Sequence, residues 1–144
     1  MTPLRIAALL VALVPLLAAP ATARAESPDD IFVIVNSSTG VSDASAAELR
    51  DIFLKKRSRW PSAGKAIPIH AAEGSALRDE FRSRFLSMTA SEEQAYWQER
   101  TIKQGVSEPP SFGNTLKAVF KLKGAVSYVY RSQFKEGSAV VLLV

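Results

Sequence analysis

Residues Ile31 to Val35 form an unbroken apolar run of five, four of them β-branched. This run constrains the fold more than any other feature. A strand with one wet face alternates polar and apolar residues, whereas a run like this suits a strand buried on both faces, as in a parallel sheet. Any fold for this chain must therefore cover that strand from above and below. Asn36 to Gly40 follows as a loop of hydrogen-bonding residues.

The remaining pattern alternates. Ser45 and Glu48 have capping-box spacing, and Leu49, Ile52 and Phe53 then share a helical face. Lys55-Lys56-Arg57 suits the negative end of that helix. Ala66 to Ala71 reads as a second strand. Gly74-Ser75 opens a helix whose buried stripe is Leu77, Phe81 and Phe85, with Arg78, Arg82 and Arg84 off the stripe. Ser91 and Gln94 repeat the capping spacing ahead of a helix through Tyr96, Trp97 and Arg100. Gln104 to Phe112 reads as a loop, Thr115 to Lys123 as a helix, and Ala125 to Tyr130 and Ala139 to Val144 as strands. Alternation of this kind predicts an α/β layered domain with a largely parallel sheet.

The first 25 residues read as a signal peptide. Arg5 gives a positive start, Ile6 to Leu17 is apolar apart from Pro15, and Ala23-Arg24-Ala25 has the pattern of a cleavage site before Glu26. A spanning helix needs about 20 apolar residues, and this run is shorter. The expected organisation is a leader over 1–25 and one domain over 26–144, periplasmic and not membrane-embedded after cleavage. Removing the leader takes Arg5 and Arg24 and no acid, so 18 basic residues become 16 against 14 acids, a net of +2. That balance argues against nucleic acid, which calls for a dense basic face. The chain has no cysteine, which excludes disulfides, thiolate metal sites and a cysteine nucleophile.

Catalytic chemistry has little support. His70 is the only histidine, set within a predicted strand, with no Ser-His-Asp or metal-ligand spacing around it. No phosphate-loop or dinucleotide fingerprint occurs, and no ligand cluster points to a metal or cofactor. The expectation is a protein that is not an enzyme.

Anion binding is better motivated, and two readings stand side by side. Asn36, Ser37 and Ser38 carry amide and hydroxyl donors at the carboxyl end of a predicted parallel strand, where open α/β sheets place ligands. Gly74 and Ser75 lead into a helix start, whose free N–H groups bind anions, and Arg78 lies one turn further in. On the other reading Ser75 caps the helix, Gly74 makes the turn and Arg78 is a surface residue. The basic run Lys55 to Arg59 beside Trp60 likewise reads as a small charged patch or as a favourable helix end.

An ordered set of segments resembles phosphate ABC-transporter substrate-binding proteins and their small single-lobe relatives. They are Glu48 to Leu54 with Trp60-Pro61 and Gly64; Glu73-Gly74-Ser75 with Arg78 and Phe81; Tyr96-Trp97; Pro109-Pro110; and Gly124 to Val129. The resemblance spans about residues 31 to 130. It implies a three-layer single lobe of a type II periplasmic-binding-protein-like fold. In full-length relatives phosphate sits between two lobes, held by hydroxyls, helix-start amides and an arginine; the matching positions here are Asn36 to Ser38 and Gly74-Ser75. The family's arginine before the turn is replaced by Ala71 and Ala72, its Gly-Thr pair by Ala76-Leu77, and a later glycine by Ser127. The implied function is an exported protein binding phosphate or a related small anion, accessory to uptake or sensing. The alternative is a ligand-free interaction module docking on an envelope transporter, porin or sensor.

Overall fold

The computed structural model describes residues 30–144, and the expected leader lies outside the described residues. Ten regular elements follow one another: β1 (Ile31–Asn36), α1 (Ala46–Phe53), β2 (Ile67–Pro68), β3 (His70–Ala71), α2 (Ala76–Phe81), α3 (Ala90–Gln104), β4 (Ser111–Phe112), α4 (Thr115–Lys121), β5 (Ala125–Tyr130) and β6 (Ala139–Val141). No helix among the described residues is long and apolar enough to cross a membrane.

The main sheet runs β2-β5-β1-β6. The alternation of strands and helices is as expected, but the strand directions are mixed. β2 lies parallel to β5, whereas β1 is antiparallel to both β5 and β6. An apolar run reports burial on two faces and says nothing of the direction of its neighbours, so the expectation of a largely parallel sheet is corrected at β1. Ala66 to Ala71 is also divided. Its first half pairs with β5, and its second half turns away to pair with β4.

β1 does need cover on both faces. Val33 and Val35 enter one core with Leu49, Ile52, Phe53, Phe81 and Tyr128. Ile34 enters a second with Ile69, Val119, Ala125, Val129 and Ala139. Helices α1 and α2 supply the first layer and α4 the second, giving three layers.

Local chemistry sets the helix ends. The Ser45 hydroxyl accepts from the Glu48 N–H at 3.1 Å, and the Ser45 N–H donates to the Glu48 carboxylate at 3.2 Å. The same box starts α3, but with Thr89 and Glu92, two residues before the expected Ser91 and Gln94. The end of α1 is capped from α3, where the Tyr96 hydroxyl donates to the Leu54 carbonyl at 2.6 Å and Arg100 donates to that of Lys55 at 2.8 Å. Gly124 closes the turn from α4 into β5 at φ +82, where a Cβ would lie 2.9 Å from the Lys65 carbonyl oxygen. Only glycine takes that φ without strain and leaves that space open.

Tyr128 sits at the centre of the first core. Its ring stacks on Phe81 at 3.7 Å between centroids. Its hydroxyl accepts from the Ala71 N–H at 3.2 Å and lies 2.9 Å from His70 Nδ1. The Tyr128 hydroxyl and His70 Nδ1 share a hydrogen bond whose direction follows the histidine tautomer. His70 is fully buried, which is the structural role its neighbours in the sequence suggested.

Burial holds the Tyr128 phenol well above the ordinary tyrosine value, against an opposing pull from Arg78. An unfolded tyrosine ionises near pH ~10. Above that pH the folded state retains a proton that the unfolded state loses, so stability falls as pH rises. Denaturant titrations across this range should show the loss beginning near pH ~10, and Tyr128→Phe should flatten most of it. A stability curve that stays level through the tyrosine range would contradict the assignment.

Candidate ligand-binding site

The residues singled out from the sequence do not converge. Asn36 ends β1, and Val35 pairs with Val126 at the start of β5. Ala71 lies at the other end of β5, against Tyr128. Because β1 runs antiparallel, Asn36 to Ser38 and Gly74-Ser75 stand toward opposite ends of the sheet.

Asn36 is also occupied. Its amide donates to the Val119 carbonyl at 2.7 Å, and its side-chain oxygen accepts from the Ser38 N–H at 2.9 Å and the Ser38 hydroxyl at 2.6 Å. It caps a short 3-10 turn and fastens β1 to the end of α4. Ser37 and Ser38 are exposed on that turn.

At the other end Gly74 makes the turn at φ +82. The Ser75 hydroxyl donates to the Ala72 carbonyl at 2.7 Å and accepts from the Arg78 N–H at 3.2 Å. Ser75 is thus the cap that one of the two sequence readings described.

Arg78 departs from both readings. It is not a surface residue but 1% exposed, and its guanidinium lies 3.6 Å from the carboxylate of Glu73 beside the turn. Its guanidinium donates to the Glu93 carboxylate, which is 3% exposed. Arg82 is buried too. Its Nε donates to Glu93 at 3.3 Å, and its terminal nitrogens donate to Asp79 at 2.7 Å and Glu73 at 2.9 Å. The carboxylates of Glu93, Asp79 and Glu73 hold the Arg82 guanidinium protonated, raising its pKa against the effect of burial. Two features hide this network in the sequence. Glu93 arrives from α3, 15 and 11 residues away from its partners. Arg78 and Arg82, four residues apart, also share one helical face beside the apolar stripe, a face that the sequence pattern leaves to solvent.

Two clefts result. The first, about 700 Å³, lies between the starts of α2 and α4 and is lined by Ser75, Ala76, Leu77, Asn114, Thr115, Leu116, Lys117, Tyr130, Gln133 and Lys135 among others. The Asn114 side chain accepts from the Lys117 N–H at 3.0 Å. Caps at the third N–H leave Ala76, Leu77, Thr115 and Leu116 with N–H groups that no residue of their own helix accepts. No carboxylate lines this cleft. The second, about 880 Å³, carries Glu73, Glu93, Glu108, Arg82 and Trp97 and is acidic on balance.

Of the residues expected to bind ligand, Ser75 alone lines the first cleft. Gly74 adjoins it, while Asn36, Ser37, Ser38 and Arg78 do not line it. Asn114, Thr115, Lys117 and Lys135 were missed. Asn114 two residues after Phe112 was a legible helix-start signal; that its helix opens beside α2 was not.

No family model matches the chain, and no curated protein matches it. Solved structures do. One is a protein described as a phosphate ABC transporter substrate-binding protein, with bound phosphate, from Clostridium perfringens: 19% identity, 79% of this chain, 44% of its own, TM-score 0.60. Another is an ABC-type phosphate transport receptor from Vibrio cholerae: 16% identity, 79% of this chain, 45% of its own, TM-score 0.62. This chain therefore has the fold of a single periplasmic-binding-protein-like lobe and spans less than half the length of either neighbour.

Removing one partner of a buried ion pair costs about 3–5 kcal/mol, because the other charge is left uncompensated. Glu93→Ala should lose that much in urea unfolding. Replacing Arg78 and Glu93 together by Met and Leu should cost less than Glu93→Ala alone. Equal losses for the two variants would show that the pair is not the unit.

Proposed function

We propose that this chain is an exported, single-lobe binding protein, not an enzyme, that holds phosphate or a related small anion in the cleft between the starts of α2 and α4. One observation carries the reading. Two helix N-termini open on one cleft, with Lys117 and Lys135 beside them and no carboxylate among its lining residues. Helix starts carry partial positive charge and free N–H donors, which suit a tetrahedral oxyanion. The two structural neighbours whose descriptions name phosphate are consistent with the same ligand class. Gly74 and Ser75 keep their place in this reading as the turn and cap that shape one wall.

Magnitude sets the expected strength. Two helix starts and two exposed ammonium groups, at about 1 kcal/mol each, give about 4 kcal/mol, a dissociation constant on the order of 1 mM. An open lobe of this kind is suited to delivery or sensing at high anion concentration, and a partner closing over the cleft would tighten it. Export rests on the leader pattern of residues 1–25. A mature N-terminus at Glu26 in an envelope fraction is the expected result, and an intact leader would remove the periplasmic assignment.

A second reading has its own observation. Arg78, the arginine nearest the turn, is neutralised by Glu93 and does not line the cleft. That favours a lobe that keeps the fold and docks on an envelope transporter, porin or sensor without ligand.

Calorimetry on residues 26–144 separates the two. Millimolar phosphate should give heat and raise the melting temperature, with a neutral sugar inert. Lys117→Glu with Lys135→Glu should weaken binding at least tenfold. Neither heat nor stabilisation with phosphate or sulfate, together with recovery of an envelope partner, would sink the anion reading and leave the docking module.

A further inference from the structure

The opposite end of the sheet gathers a different surface. Arg59 and Lys65 face each other across an antiparallel bridge, and the Ala66 N–H donates to the Ser58 carbonyl at 3.0 Å. The turn at Gly124 packs against the Lys65 carbonyl, which brings the end of α4, Lys121-Leu122-Lys123, beside that bridge. Lys56 and Arg57 lie on the turn leaving α1, their N–H groups bonded to the Asp51 carbonyl. All six cations are exposed, and none joins the ion pairs among the described residues. Asp51, half-buried on α1, is the acid this turn stands against.

The segregation is strong for a chain near neutrality. Six of the 16 basic residues beyond the leader stand here, leaving ten against the 14 acids, of which Asp51 and Glu136, the latter beside Gly137 on the Phe120 ring, adjoin this end. Helix ends explain part of it, since α1 and α4 both point their negative ends this way. They do not explain Arg59 and Lys65, which lie on no helix. Nor do they explain Leu122, which is 41% exposed between two lysines.

We infer that this cationic end, with Leu122 at its tip, is a docking face for an anionic lipid surface. Charge complementarity selects an anionic partner, and the exposed leucine selects one with an apolar layer beneath its charges. Single-stranded nucleic acid fits less well, because it calls for exposed aromatic side chains, and Trp60 beside this face is 2% exposed. The face lies at the far end of the sheet from the cleft, so a lobe docked through it presents the cleft away from the membrane.

The test is co-sedimentation of residues 26–144 with vesicles. This segment contains every described strand and helix and both clusters of the core. Vesicles containing phosphatidylglycerol should bind it at low salt, and phosphatidylcholine vesicles should not. Each cation near an anionic surface contributes about fivefold, so Arg59→Gln with Lys65→Gln should weaken binding about 25-fold. The double variant should retain the parent melting temperature, since both side chains are exposed. Leu122→Ser should weaken vesicle binding but leave binding to soluble polyglutamate unchanged. No binding at low salt, equal binding to neutral vesicles, or glutamine variants that bind as the parent does would overturn the proposal. Binding to polyglutamate and vesicles alike, with no effect of Leu122→Ser, would reassign the face to an acidic polypeptide and overturn the lipid reading.

Discussion

Tyr128 joins the elements on which the rest of the molecule is hung. Its ring stacks on Phe81 of α2, and its hydroxyl takes the Ala71 N–H and meets His70 on β3. Its backbone carbonyl accepts from the Thr115 hydroxyl at 2.8 Å, which fixes the start of α4. One residue of β5 thus sets the positions of β3, α2 and α4 together. The cleft between the two helix starts exists because these separate segments are referred to a common point. Burial of a hydroxyl at that point is tolerated because it has two hydrogen-bond partners, the Ala71 N–H and His70 Nδ1.

The ion-pair network is the second organising device, and it serves the fold more than a ligand. Glu93 lies between Arg78 and Arg82 and draws both guanidinium groups under α3. Such a pair gains little net stability over apolar packing, but it penalises any arrangement that separates its members. It therefore fixes how α3 lies across α2. The same pairing leaves the cleft beside α2 without its nearest arginine. The cleft's positive character comes instead from helix starts and from Lys117 and Lys135.

The two ends of the sheet differ in electrostatic kind. At one end helix starts present N–H groups around an open cleft. At the other, helix ends and a bridged hairpin present lysine and arginine side chains to solvent. Both are positive, yet they suit different partners. A concave site with fixed donors suits a small anion, whereas a face of exposed cations suits an extended charged surface. Between them the flank of α2 and α3 is acidic, with Glu73, Glu93 and Glu108 lining its groove.

Much of the fold was legible in the chain. The apolar run of β1 required layers on both faces, the Ser45–Glu48 box began α1 where it does, and the stripe of Leu77 and Phe81 chose the buried side of α2. These are local signals, carried by residues within a turn or a strand of one another. The site was legible only in part. Ser75 was recognisable as a helix start, but whether it faced Asn36 depended on the direction of β1, which a doubly buried strand leaves open. The fate of Arg78 depended on Glu93, brought in by the packing of another helix. The sequence by itself determined which segments are strands and helices and which faces they bury, because periodicity and capping are short-range. Only the tertiary structure decided which helix starts share a cleft and which charges are cancelled, because those depend on strand direction and on contacts between residues far apart in the chain.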